Sequence, residues 1–178
     1  MGAMSSARRS HETPVVTALL SRIVAFELAG VVRFTHYSLM VTGPSRIPIV
    51  TFLKQQAAES LLHAQQAGEI LTGLGGHPEM GIAPLEETGR HRLADLLAEG
   101  LAHERRAIDL YRELLAAVEG RSVYLEEFAR GQVAAEELGA MEFHKMLRDH
   151  GVQDGAPGPA RRRSGERSSR PTRNVKRR

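Results

Sequence analysis

The sequence predicts an all-α protein, an antiparallel four-helix bundle with one long crossover between the second and third helices. Apolar residues recur at helical spacing through four long segments, and few windows alternate as strands do. Gly- and Pro-containing links separate these segments, and the middle link is the longest. The short outer links therefore predict two helical hairpins, and the middle link can cross the end of the bundle.

Each helix is placed by its start and stop signals. The first begins near Thr13-Pro14 and ends at Gly43-Pro44, because Pro suits the first helical position and Gly with Pro stops a helix. The other helices are predicted from about Pro48 to Gly75-Gly76, from about Glu86 to Gly120, and from Ser122 to His150-Gly151.

Charge is distributed unevenly along the chain. Its 178 residues carry a net charge of +3, but residues 157–178 hold nine Lys and Arg against Glu166 alone. That segment therefore carries +8, and the rest of the chain 3 − 8 = −5. We expect a flexible segment at 1–12, the bundle at 13–150 and a disordered basic tail at 151–178, which has too few apolar residues to fold. Such a tail is either simply solvated or binds nucleic acid non-specifically through its phosphates.

Composition excludes several classes of protein. The chain has no cysteine, so it has no disulfide, no Cys-ligated zinc or iron–sulfur site, and no cysteine nucleophile. The longest uncharged stretch in the first helix, 34–45, is far short of the roughly 20 apolar residues of a membrane span. The first ten residues include Arg8 and Arg9 but no apolar run with a cleavage site, so no secretory signal is expected. We expect a cytoplasmic protein without a membrane partner.

The most informative residues are acids and a histidine on apolar helix faces. Glu27 lies between Phe26 and Leu28, where an unpaired buried carboxylate would be very costly. The interval from Glu27 to Glu59 is 32 residues, as is that from Glu104 to Glu136, so the two hairpins look like copies of one unit. His63 follows Glu59 by one helical turn. If the hairpins pack symmetrically, these five side chains converge as in a carboxylate-bridged dinuclear metal site, which suits Fe or Mn.

Four motifs in order make the chain resemble the bacterioferritins of the ferritin-like superfamily over about residues 13–150. The matching stretches are AFELAGVVRFTHYSLM (25–40), QAAESLLHAQQAGEIL (56–71), HERRAIDLYRELL (103–115) and VYLEEFARGQVAAEE (123–137), with HPEMGIAPLEET (77–88) in the crossover.

The resemblance implies a ferritin-like fold and a di-iron centre that oxidises Fe(II) with dioxygen or peroxide, a ferroxidase activity. Glu27, His63, Glu104 and Glu136 fall at the family's ligand positions. The ferric product would be stored as mineral in a hollow homo-oligomeric shell, expected to have 24 subunits and either uniform or mixed with a second subunit type. Haem is not expected, because Leu61 stands where haem-binding members have Met.

Two departures from the family pattern leave the activity open. The family has Glu-x-x-His in the second and fourth helices, but Ser60 stands three residues before His63, so Glu59 would have to reach from four residues away. Gly139 stands where the fourth helix should supply His. The next histidine, His144, is eight residues beyond Glu136, roughly 12 Å along the helix.

Gly139 either leaves an open coordination position or marks a weakened second metal site. Two alternative functions follow from these observations. One is a catalytically impaired shell subunit that relies on a partner chain, and the other is a DNA-associated protective protein that uses the tail. The remaining helix and crossover histidines are interpreted as surface or interface residues: His36, His91, His103 and His144.

Overall fold

The computed structural model describes the backbone of residues 3–149 and the side chains of residues 14–148. Within that range the chain forms four helices and no strand, which confirms the predicted fold class. The helices are α1 (Ala3–Met40), α2 (Arg46–Gly73), α3 (Leu93–Val118) and α4 (Val123–Asp149). The tail predicted at 151–178 lies outside the described residues.

The first helix begins ten residues earlier than predicted. It starts at Ala3 rather than Thr13, and Pro14 lies inside it. Residues 3–12 contain several strong helix formers, including Ala7 and Glu12, so the helical backbone continues on the N-terminal side of the proline. Pro14 removes one backbone donor without ending the helix. The flexibility expected for residues 1–12 stays a prediction.

The third helix begins later than predicted, at Leu93 rather than near Glu86. Gly89 has a φ of +66°, a left-handed conformation that interrupts a helix. The Thr88 hydroxyl donates a 2.6 Å hydrogen bond to Oε1 of Glu99, which holds this stretch against α3. The crossover, residues 74–92, is therefore longer than the sequence indicated.

Two apolar clusters occupy the two ends of the bundle. The first core cluster combines the early part of α1, the late parts of α2 and α3, and the early part of α4. The second combines the late part of α1, the early parts of α2 and α3, and the late part of α4. The α1–α2 and α3–α4 pairs are therefore antiparallel, whereas α2 and α3 run in the same direction. That parallel relation is why the connection between them runs the length of the bundle, and the prediction that it crosses only the end of the bundle is wrong.

A layer of polar side chains separates the two apolar clusters. We call it the polar layer, and every helix contributes to it: Glu27 from α1, Gln56, Ser60 and His63 from α2, His103 and Glu104 from α3, and Gln132 and Glu136 from α4. Buried polar groups are costly unless they are paired. The polar layer therefore indicates a functional site.

Residues Pro14–Met40 of α1 are long and apolar enough to cross a membrane by length and composition alone, and the most apolar 18-residue stretch within them has a mean hydropathy of 2.0. The sequence prediction missed this long apolar segment, because it counted only consecutive uncharged residues and Arg22, Glu27 and Arg33 interrupt the segment. The core helix of a bundle has the same composition, and α1 supplies Leu20 and Ile23 to the first core cluster and Phe34 to the second.

Candidate metal centre

Three of the predicted site residues meet in the polar layer. Oε1 of Glu136 lies 2.7 Å from Nδ1 of His63, and Oε1 of Glu27 lies 3.8 Å from the same nitrogen. One possible ligand atom from each of the three side chains lies within 4.8 Å of the others. Glu27 and Glu136 are only 2% and 4% exposed. Three different helices therefore place two buried carboxylates and an imidazole around one point.

Glu104 adjoins this group from α3 and is also buried. The pKa of Glu104 is raised to about 10, first by burial and then by the negative charge of Glu136 and a hydrogen bond shared with that carboxyl. The charges of Glu27 and Glu59 act in the same direction. Glu104 is therefore protonated at neutral pH when no cation is present, because like charges this close cannot all ionise in a buried site.

Glu27 is held by two hydroxyl groups. The Tyr111 hydroxyl donates a 2.9 Å hydrogen bond to Oε1 of Glu27, and Ser60 also hydrogen-bonds this carboxylate. Burial and the charge of Glu136 raise the pKa of Glu27, and the bonds from Tyr111 and Ser60 only partly oppose this. Ser60, which replaces the expected Glu, therefore contacts the site through Glu27.

Glu59 lies at the wall of the site rather than within the cluster of three. Its carboxylate accepts hydrogen bonds from Nε2 of Gln56 at 2.7 Å and from Nε2 of Gln55 at 3.0 Å. It lines the same cavity of about 430 Å³ as His63, Glu104 and Glu136. The two glutamines keep Glu59 near the other acids, but it does not come as close to His63 as Glu136 does.

The structure gives a physical reason for Gly139. A Cβ atom on this residue would lie 2.5 Å from Oε2 of Glu104. The carboxyl of Glu104 thus occupies the space that a side chain at position 139 would need. His144, as predicted from its spacing, is not among the residues that line this cavity.

The prediction that His103 is a surface or interface residue is wrong. Its ring is buried, stacked on Phe26 at 4.3 Å with an 8° interplanar angle, and it approaches α1 where Gly30 has no side chain. Burial, and then the charge of Arg33, lower the pKa of His103 to about 3, so the ring is neutral. The helical spacing of Gly100, His103, Glu104 and Ala107 was the signal for burial.

Two further members of the polar layer, Gln56 and Gln132, were not predicted. Gln56 holds Glu59, and Nε2 of Gln132 donates a 2.6 Å hydrogen bond to Oε1 of Gln66. An uncharged amide at a core position carries little signal in a sequence, because glutamine is common on helix surfaces.

The residues present fit a bound metal cation. Oε1 of Glu136 is buried and accepts no hydrogen bond of good geometry, although it lies 2.7 Å from His63. Buried carboxylates with a nearby imidazole are a donor set that suits Fe or Mn, and a cation would offset their mutual repulsion. The fold and this donor set together define a class, the four-helix bundles with a carboxylate-rich metal centre.

Comparison with known families agrees. The model of the ferritin-like domain family matches residues 17–150, and the chain belongs to this family. The predicted ferritin-like fold and the resemblance to bacterioferritins are confirmed. No curated protein matches the sequence.

Three solved structures illustrate the similarity of fold. A ferritin-like diiron-carboxylate protein from Bacillus anthracis is 18% identical with a TM-score of 0.73, covering 77% of this chain and 98% of the other. A dodecameric thioferritin, the bacterioferritin-related protein of Bacteroides fragilis, is 20% identical with a TM-score of 0.73, covering 78% and 87%. The bacterioferritin of Desulfovibrio desulfuricans is 19% identical with a TM-score of 0.69, covering 79% and 82%. At these identities the similarity shows the fold alone.

Proposed function

We propose that this protein binds Fe(II) at the polar layer, oxidises it with dioxygen or peroxide, and stores the ferric product inside an oligomeric shell in the cytoplasm. The observation that carries the proposal is the burial of Glu27, Glu104 and Glu136 around His63, where burial and the charge of Glu136 raise the pKa of Glu27 and of Glu104 and so make their ionisation costly. A divalent cation removes that cost. The iron-binding relatives of the same fold support iron as that cation.

Iron is the substrate here, and the protein contributes ligands and protons. Glu27, His63, Glu104 and Glu136 would hold the metal, with Glu59 at the cavity wall completing the set. The carboxyls that are protonated in the metal-free protein must release their protons as the cation binds. Tyr111 and Ser60 orient Glu27 through their hydrogen bonds.

We further propose that the chain forms a homo-oligomer. Several large apolar side chains are exposed, among them Leu39 at 69% and Ile47 at 80%, and contacts between subunits would bury such side chains. The Bacteroides fragilis relative is a dodecamer. Light scattering of the purified assembly distinguishes the expected 24-subunit shell from a dodecamer, and mass spectrometry of the separated subunits detects a shell mixed with a second chain.

The test is oxygen consumption after Fe(II) is added to the metal-free protein, with Glu104→Ala measured beside it. Glu137→Ala is the matched control, because Glu137 is the neighbour of Glu136 but is exposed and pairs with Arg112 at 2.7 Å. We expect rapid uptake in the parent and the control, and uptake at the rate of free iron in Glu104→Ala.

Uptake no faster than free iron in all three proteins would contradict a ferroxidase. Fe(II) binding by calorimetry then separates two remaining cases. Binding that is retained in the parent and lost in Glu104→Ala would support the impaired subunit, whose Gly139 leaves room for Glu104 but supplies no ligand. Absence of binding in the parent would contradict the metal centre itself.

The basic segment 157–178 supports a second candidate function, a protein that protects DNA. Its charge of +8 predicts non-specific binding that weakens steeply as salt rises. Deleting 157–178 should abolish retention of duplex DNA at low salt. Retention that survives the deletion would contradict a role for the tail.

A further inference from the structure

A second group of metal-ligand side chains lies outside the polar layer, where the crossover passes over α1. His36 of α1 and Glu87 and His91 of the crossover each place one possible ligand atom within 4.8 Å of the others. Nε2 of His36 lies 3.9 Å from Oε1 of Glu87. All three residues line one cavity of about 280 Å³. Spacing along the chain does not group them, because Glu87 lies 51 positions after His36.

The crossover is fixed in place around this group. The Thr88 hydroxyl donates to Oε1 of Glu99, and the Tyr37 hydroxyl donates to the other oxygen of the same carboxylate. The backbone N–H of Ala83 donates a 2.8 Å hydrogen bond to the carbonyl of Ala25 in α1. Glu87 is thus adjacent to a residue tied to α3, and His36 is adjacent to a residue tied to the same Glu99. The two ligands from different parts of the chain are therefore held together before any ion binds.

The donor set has the chemistry of a transition-metal site. Two imidazoles and one carboxylate bind zinc-like divalent ions, and tetrahedral ligands at about 2.1 Å from the metal lie about 3.4 Å from each other. The His36–Glu87 separation of 3.9 Å needs a contraction of only about 0.5 Å to reach that value. Glu87 and His91 are exposed, so their side chains can turn toward the ion and water can fill a fourth position.

The charges around the cavity are mixed. Arg33 and Arg90 line it and oppose a cation, whereas the acidic Glu86 and Glu99 line it as well and offset them. Arg33 also donates a 2.7 Å hydrogen bond to the Tyr37 hydroxyl. The net surroundings therefore do not exclude a divalent ion.

We propose that His36, Glu87 and His91 form a second metal site that binds a divalent transition-metal ion of the Zn²⁺ class and fastens the crossover to α1. The site is separate from the polar layer and does not depend on iron oxidation. An ion that binds only the folded crossover increases the stability of the folded form. This stabilisation grows with the logarithm of the ion concentration once that concentration exceeds the dissociation constant.

The first experiment counts Zn²⁺ ions bound by the full chain in calorimetry. The parent for this test is Glu27→Gln/Glu136→Gln, which removes two of the three converging ligands of the polar layer while keeping the side-chain shapes. We expect one Zn²⁺ per chain, with affinity reduced at least about tenfold by His36→Ala and by His91→Ala. His77→Ala is the matched control, because it removes a histidine of the same crossover that does not line this cavity.

Unchanged Zn²⁺ binding in His36→Ala, or no binding in the parent, would overturn the proposal. A second measurement tests the fastening itself. Trypsin cleaves after Arg90, an exposed residue next to His91, and we expect Zn²⁺ to slow this cleavage several-fold in the parent and in His77→Ala. Equal protection of Arg90 from trypsin in His36→Ala would show that the bound ion does not fasten the crossover to α1. Because neither readout involves iron oxidation, both results stand whether or not the ferroxidase proposal holds.

Discussion

Replacing Glu104 by glutamine should stabilise the metal-free protein at neutral pH. The folded chain keeps this carboxyl protonated, because its pKa is raised to about 10 by burial and by Glu136, whereas the unfolded chain ionises near 4.5. Between these two values the folded state binds a proton that the unfolded state releases. The contribution of Glu104 to stability is therefore most favourable below pH 4.5 and is lost as the pH rises toward 10.

The size of the effect at pH 7 depends only on the unfolded pKa, provided that the folded pKa stays above 7. The interval from 4.5 to 7, at about 1.4 kcal/mol per pH unit, lowers the free energy of unfolding by about 3 kcal/mol. The same arithmetic gives about 1 kcal/mol at pH 5. Glutamine is neutral in both states, so Glu104→Gln lacks this penalty. The gap in stability between variant and parent should widen by about 2.5 kcal/mol from pH 5 to pH 7, because the slope acts over nearly the whole interval of two pH units.

The assay is urea unfolding with a chelator present, at one protein concentration and at both pH values. Glu137→Gln serves as the control, because Glu137 is exposed and its gap from the parent should not change with pH. A gap between Glu104→Gln and the parent that is the same at pH 5 and pH 7 would refute the assignment of a protonated Glu104. Divalent metal should reverse the order of stability, because only the parent retains the full carboxylate set.

Three further substitutions follow from the contacts of the site and core. Gly139→Ala should weaken Fe(II) binding, because the new Cβ would lie 2.5 Å from the Glu104 carboxyl and displace it. Gly131→Ala is the control on the same helix, because its Cβ meets nothing within 4 Å. This control should raise the free energy of unfolding by up to about 1 kcal/mol and leave Fe(II) binding unchanged. Tyr111→Phe should cost about 1 to 3 kcal/mol, because the buried Glu27 loses a donor. Leu114→Ala should cost about 2 to 5 kcal/mol by opening a cavity in the first core cluster.

Calorimetry with Fe(II) checks the glycine pair, and equal affinity in both variants would contradict the role given to the space at 139. Urea unfolding checks the other two variants. A loss below about 0.5 kcal/mol for Tyr111→Phe would mean that water or Ser60 replaces the lost donor. A similarly small loss for Leu114→Ala would mean that the core closes over the cavity.

Local patterns in the sequence were sufficient for the architecture, and they grouped the four residues that remain the proposed ligands, Glu27, His63, Glu104 and Glu136. Helical spacing assigned four helices, and the equal intervals of 32 residues between Glu27 and Glu59 and between Glu104 and Glu136 placed the acids at matching heights. This works because the face on which a helical residue lies is fixed by its own spacing. The same reasoning applied to His103 would have predicted its burial.

The spacing of residues within one helix does not predict contacts between separate segments. The approach of Glu104 to Gly139, the support of Glu59 by Gln56, and the meeting of His36 with the crossover all depend on how separate segments pack. Local signals also misplaced the starts of α1 and α3. Pro14 is tolerated within α1, and the hydrogen bond from Thr88 to Glu99 holds the chain before α3 in a non-helical path. Spacing along each segment indicates which residues its helix presents to the interior, because the face of a residue is a property of one helix. Which of these residues touch depends on the packing of two helices, because that packing sets the distance between their side chains.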